Sequence, residues 1–249
     1  MPAEVDQLKV LVLSDLHAGH FCHDEKLLDY YLSLLDGDKH MRMLMLGDMF
    51  EAKFRNSKGK PEEQTKSVRE QRKYLARKIK PYADRIDMSV PGNHDDRQSQ
   101  EGGDSLMEVL MNEIGSPHFY EPLGVVVYAS DKSTACSYTI ACRHGNTGGY
   151  LLGSGLNAAH RDAWNVEADI YIEGHCHKGT ASQPLQRLQV QEHKHVMTWR
   201  PYWVITNGSL LNPARSYAAM KGYPMAQPCQ AVLTINMKKR NRGVSVAWE

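Results

Sequence analysis

The sequence predicts an α/β fold of two stacked sheets with helices outside. Three observations point there. The first half alternates short apolar runs with segments of helical periodicity. Those runs stop at turn residues such as Gly47 or Pro91-Gly92. The second half is almost entirely strand-like.

Taken in order, residues 8–14 form a buried strand, with Leu8, Val10, Leu11, Val12 and Leu13 and no turn residue. Residues 24–36 form a helix, with Leu27, Leu28, Tyr31, Leu34 and Leu35 at helical spacing. Residues 43–46 are a second strand. Pro61-Glu62-Glu63 is read as the start of a helix running to about Lys80, since Pro and acids suit a first turn. Residues 86–90 are a third strand and 105–114 a helix. In the second half, residues 124–129, 137–143, 170–173, 185–191, 203–207 and 231–236 read as strands, with one helix at 157–166. This β-rich half is expected to build a second sheet against the first, within a single domain spanning 1–249.

Composition bounds the alternatives. The 249 residues are 41% hydrophobic and 24% charged, within the range of folded chains, which excludes a disordered or fibrous protein. No apolar run approaches the roughly 18 residues of a membrane span, so no membrane partner is expected. Met1-Pro2-Ala3-Glu4 lacks the features of a signal peptide. The five cysteines are odd in number and lack paired spacing, which fits reduced thiols and a cytoplasmic location.

Chemistry gathers at the strand ends. Strand one runs into Asp15-Leu16-His17, strand two into Gly47-Asp48, and strand three into Gly92-Asn93-His94-Asp95. Later strands run into His144-Gly145 and Gly174-His175-Cys176-His177. Ligands of α/β proteins collect beyond the carboxyl ends of strands. If these segments are extended, residues two apart share a side, so Asp15 with His17 and His175 with His177 can reach one ion. The glycines at 47, 92, 145 and 174 permit sharp turns and close backbone approach. Mixed carboxylate, amide and imidazole donors suit Mn, Fe or Zn. Any one of these motifs alone is weak, and Cys176 reads as a small packing residue.

Together they resemble the signature of the calcineurin-like metallophosphoesterases, over residues 15 to 177, with Asn207-Gly208-Ser209 resembling the closing strand-turn of that family. The resemblance implies a four-layer α/β/β/α sandwich of two mixed sheets flanked by helices. It implies a hydrolase acting on phosphate esters, with two divalent metal ions: manganese first, with Fe, Zn, Ni or Mg as alternatives. Asp15, His17 and His177 would hold one ion, and Asn93, His144 and His175 the other, with Asp48 between them. His94 would stand at the scissile phosphate and donate a proton or a hydrogen bond to the leaving oxygen. Asp95 would orient His94.

For substrate, Gly47-Asp48-Met49-Phe50-Glu51-Ala52 lacks the Asp-Arg pair of the phosphoprotein phosphatases and looks more like the nuclease and phosphodiesterase branches. Phosphodiesters of nucleic acid or nucleotides are therefore expected, with DNA or RNA as partner. A phosphomonoesterase and a non-catalytic scaffold are the alternatives, and the intact ligand set speaks against the scaffold. The net charge of +1 conceals a local excess of eight positive charges over residues 53–80, from eleven Lys and Arg against three Glu. On one continuous helix Lys66, Arg69 and Lys73 would share a face. That face reads either as a polyanion surface or as an ordinary solvated one. Tyr150, in the Gly-rich stretch 145–155, reads either as a base-stacking lid residue or as part of an irregular connection.

Overall fold

The computed structural model describes residues 6–54, 61–97, 99, 103–130, 136–146, 151, 153–163, 165–191, 196–213, 226–238 and 242–248. The first sheet contains β1 (Gln7–Leu13), β2 (Arg42–Met45), β3 (Ile86–Ser89), β10 (Ala231–Asn236) and β11 (Gly243–Trp248) in the order β11-β10-β1-β2-β3. β1, β2 and β3 are parallel, while β10 and β11 add antiparallel strands beside β1. The second sheet runs β4 (Gly124–Ala129), β5 (Ser137–Arg143), β6 (Ile170–Glu173), β9 (Val196–Thr206), β7 (Thr180–Ala181), and β8 (Leu185–Gln191) pairs with the outer part of β9. Both sheets are mixed.

Alternation along β1 shows why the layers stack. Leu11 and Leu13 point outward to a core shared with α1 (Glu25–Gly37), α2 (Val68–Ile79) and α3 (Leu106–Ile114). Val10 and Val12 point inward, to a core shared with Ile140, Ile172 and Ile205 of the second sheet. On the far side, Ala159 of α4 (Ser154–Asp162) packs over Ala141, Tyr171 and Val204. The result is helix, sheet, sheet, helix. No described helix is long and apolar enough to cross a membrane.

The structure changes three expectations. The β-rich half does not form a sheet by itself: β10 returns to pair with β1 from Gln7↔Asn236 to Val12↔Ala231. Its alternating apolar residues fit either sheet, so local pattern could not assign it. Second, β9 begins at Val196 rather than near 203, and β7 and β11 join the sheets as further strands. Third, the helix expected from Pro61 is divided. Pro61–Glu63 is a single 3-10 turn, and α2 starts at Val68 behind an N-cap at Ser67. The Ser67 side chain accepts from Glu70 N while Glu70 reaches back to Ser67 N, a reciprocal cap that fixes the start. Residues just before it are drawn to the Asp15 loop instead, where Thr65 N donates to Gly19 O.

Candidate metal centre

The carboxyl ends of β1, β2, β3, β5 and β6 open on one edge of the stacked sheets. Asp15 N donates to Gly47 O and His17 N to Asp48 O, tying the first two loops together. His175 N donates to Oδ2 of Asp15 at 3.0 Å, which joins the second sheet to the first. Close approach needs glycine here. A Cβ at Gly47, whose φ is +80°, would run into the backbone of Gly92, and one at Gly174 would lie 2.7 Å from the Asp15 carboxylate.

Three ligand groups result, each with its ligand atoms within 4.8 Å of one another: Asp15, His17 and His177; Asp48, His144 and His175; and His17, Asp48 and His94. Oδ2 of Asp48 lies 3.2 Å from Nε2 of His144 and 3.8 Å from Nε2 of His17, so one oxygen faces both outer groups. Nε2 of His17 is 3.2 Å from Nε2 of His177, and Nε2 of His144 is 3.2 Å from Nδ1 of His175.

The pairs converge for a different reason than extended spacing. Asp15, His17, Asp48, His175 and His177 have φ values of 52°, 46°, 51°, 64° and 57°. Non-glycine residues rarely adopt this left-handed region, at a cost of order 1–3 kcal/mol each. The segments 15–17 and 175–177 are therefore kinked, and the kinks aim both members of each pair into the same space.

The donor set fits divalent cations. His17 Nδ1 donates to Glu51 Oε2 at 3.0 Å and His144 Nδ1 to the Leu46 carbonyl at 2.7 Å. Each ring thereby presents Nε2, with its lone pair, to the carboxylates and to a second imidazole. Such facing acceptors need a cation between them. In protein alone a proton fills that need. Burial favours neutral His144, yet the Asp48 charge and hydrogen bond push it up to about 10. Burial would likewise raise Asp48, but the His144 ring holds its carboxyl well below the usual carboxylate range.

Other expected residues stand as follows. Asn93 is exposed and lines a cavity of about 550 Å³ together with His144, Arg143, Asp96, Glu121 and Asp162. His94 N donates to Oδ1 of Asp48, and its Nδ1 donates to the Glu51 carbonyl at 2.8 Å. Asp95 does not orient that ring. Its carboxylate is turned to the loop backbone, accepting from Phe50 N at 3.1 Å and Gly92 N at 2.9 Å. Burial and the nearby Asp48 charge push Asp95 up to about 7. Burial, with the His17 and Arg97 charges, pulls His94 down to about 3.

The basic face is redistributed by the later start of α2. Lys66 precedes the cap, and its Nζ lies over the Tyr74 ring at 5.1 Å. Arg69 and Lys73 are exposed, on the side of α2 away from Gln71. Gln71 is the residue that faces the centre, accepting from Glu51 N and Ala52 N. Lys53, Arg72 and Lys78 are engaged by Glu63, Glu113 and Asp29. Tyr150, Arg55, Lys58 and Lys60 lie outside the described residues. Cys176 is half-buried, its Sγ donating to Lys178 O.

Sequence reasoning missed Glu51 and Arg97. Glu51 follows Asp48 by three residues and Arg97 follows His94 by three, which was their one available signal. Burial would raise Glu51, but the His17 hydrogen bond and charge bring it down to about 2. Arg97 Nη1 donates to Glu51 O at 2.8 Å, and its Nη2 lies 2.7 Å from Nε2 of His94.

A family model described as calcineurin-like phosphoesterase matches residues 8–221. Comparison with curated proteins finds no match. Among solved structures, the chain is similar to the phosphoesterase Yfce from E. coli, at 14% identity over 96% of this chain and 98% of that one, with a TM-score of 0.49. It is also similar to a single mutant of Vps29 from Entamoeba histolytica (15% identity, 97% and 99% covered, TM-score 0.47). A third is the calcineurin-like phosphoesterase YfkN from Bacillus subtilis (13% identity, 97% and 88% covered, TM-score 0.46).

Proposed function

The chain belongs to the calcineurin-like phosphoesterase family, and on that premise we propose that it hydrolyses phosphodiesters at a centre of two divalent metal ions, on substrates of nucleotide size. The observation that carries this reading is the position of Asp48, whose Oδ2 faces both His144 and His17. Asp15, His17 and His177 would hold one ion, Asp48, His144 and His175 the other, with Asp48 common to both and Asn93 at the rim. When bound, such ions supply a hydroxide nucleophile at neutral pH and neutralise charge on phosphate oxygens. Manganese is the first choice for this mixed oxygen and nitrogen set, ahead of Fe, Zn, Ni or Mg.

The chain's own residues supply position and polarity. Glu51 and the Leu46 carbonyl hold His17 and His144 in one tautomer and orientation. Asp95 ties the loops carrying Asp48 and Asn93 through Phe50 N and Gly92 N. His94 is anchored by the Glu51 carbonyl and the Asp48 carboxylate and borders the place a phosphate would occupy.

Two observations favour a compact diester over a long polyanion. The cavity beside His144 has a volume usual for small ligands, and its lining carries Asp96, Glu121 and Asp162 against Arg143. The exposed bases Arg69 and Lys73 stand on the face of α2 opposite Gln71, the residue whose side chain accepts from Glu51 N and Ala52 N. The test is manganese-dependent hydrolysis of bis-p-nitrophenyl phosphate, p-nitrophenyl phosphate, nucleotide diesters and single-stranded DNA and RNA. Preference for the small diesters supports the reading. Turnover of the monoester alone refutes it, and so does inertness of the metal-replete protein.

A further inference from the structure

Six non-glycine residues among those described have left-handed backbone. Five of them, Asp15, His17, Asp48, His175 and His177, carry candidate ligands. The sixth is Ala52, with φ 38°, and its methyl group can hold no ion. Alanine rarely adopts this region, so a group outside residue 52 must impose it. That group is the Gln71 side chain. Its Oε1 accepts from Glu51 N at 3.2 Å and from Ala52 N at 3.1 Å. Glu51 N has a second acceptor in Ala18 O, whereas for Ala52 N Gln71 is the one acceptor among the described residues.

Gln71 is fully buried, and its own contacts fix which way the amide faces. Nε2 donates to the Lys66 carbonyl at 2.8 Å, which leaves Oε1 toward the two N–H groups. Gly19 leaves room for the side chain, because a Cβ there would lie 2.6 Å from Cδ of Gln71. The Ser67–Glu70 cap sets where α2 starts and so where Gln71 stands. What the amide holds is the peptide between Glu51 and Ala52. Two groups of Glu51 reach the centre from that peptide. Its carboxylate lies 3.0 Å from Nδ1 of His17, and its carbonyl accepts from Nη1 of Arg97 at 2.8 Å.

We propose that Gln71 is a positioning residue of the metal centre, which holds Ala52 in left-handed backbone and so keeps the Glu51 carboxylate on His17. This rests on the two-ion reading, in which His17 serves one ion together with Asp15 and His177. Gln71 makes no hydrogen bond to a candidate ligand, so its effect must pass through Glu51. Two consequences separate this role from packing. Loss of Gln71 must matter only while Glu51 carries its charge. A glycine at 52, which adopts left-handed backbone without help, must replace part of what Gln71 does.

The experiment is calorimetric titration of manganese into the full metal-free chain. Gln71→Leu should weaken one of the two binding events by about 10-fold, the lower end for the partners of ligating histidines. Gln71→Asn, too short to reach both N–H groups, should do the same and serves if Gln71→Leu does not fold. Adding Ala52→Gly to Gln71→Leu should recover part of the loss. Adding Gln71→Leu to Glu51→Gln should weaken binding no further than Glu51→Gln alone. Leu75→Ala, at a fully buried position of the same helix, should lower Tm and leave the manganese affinity unchanged. An unchanged affinity in Gln71→Leu, no recovery with Ala52→Gly, losses that add in the double variant, or an equal loss in Leu75→Ala would overturn the inference in favour of a purely structural role. A wild type that takes up fewer than two ions would instead remove the two-ion reading, and the inference with it.

Discussion

The Glu51 carboxylate lies 3.0 Å from Nδ1 of His17, and both side chains are buried. This contact fixes which nitrogen His17 turns toward Asp48 and His177. Carboxylate partners of this kind raise the basicity of an imidazole ligand and hold its plane. Glu51→Gln keeps an acceptor for the ring but removes the charge. It should weaken manganese binding by about 10–100-fold with the circular dichroism spectrum unchanged. Calorimetric titration of metal into the variant checks this, and an unchanged affinity would reduce Glu51 to a packing role.

Asp48 is the shared group of the proposed centre, with Oδ2 facing His144 and His17. Asp48→Asn should lower the bound metal from two ions per chain and cut turnover by roughly 10³-fold, the equivalent of several kcal/mol. Elemental analysis of the dialysed variant measures the ratio. Two tightly held ions in Asp48→Asn would contradict the shared role.

Gly47 has φ +80°, and a Cβ there would collide with the Gly92 backbone. Gly47→Ala should therefore cost roughly 2–5 kcal/mol from left-handed strain and overpacking together. Urea denaturation would show a lower midpoint with an unchanged slope. A loss below about 0.5 kcal/mol would mean the two loops separate easily.

Bound ions should also stabilise the fold, because His17 with His177 and His144 with His175 bring ring nitrogens to 3.2 Å. An ion at one hundred times its dissociation constant contributes about 2.7 kcal/mol per site. For a chain of this size each kcal/mol raises Tm by about 2–4 °C. Scanning calorimetry of chelated and manganese-loaded protein should thus differ by about 5–10 °C or more. Coincident transitions would refute ion binding between these side chains.

Much of this arrangement was legible in the sequence. Strands such as Gly124–Ala129, with period-two burial, and Ile170–Glu173, buried throughout, announce themselves by apolar residues between turn residues. The residues that meet at the centre stood at strand ends, where a parallel sheet places them on one edge. The partners of those residues were less legible. Asp95 follows His94 directly yet turns to Phe50 N and Gly92 N, and Arg97, three residues on, takes the ring instead. Sequence adjacency does not set side-chain direction in a tight turn. The basic run misled in a similar way, because the Ser67–Glu70 cap starts α2 after Lys66.

By itself, the sequence determined most of the segments that become strands and helices and which candidate metal ligands lie at their ends. Those properties are local: apolar periodicity, turn residues and donor chemistry are written within a few positions of each other. Only the tertiary structure decided that β10 and β11 return to the first sheet. It also decided that left-handed backbone at Asp15, His17, Asp48, His175 and His177 does the aiming, and that Glu51 and Arg97 complete the centre. Each of these depends on hydrogen bonds and packing between residues far apart in the chain, whose energies appear only once the two sheets have closed on each other.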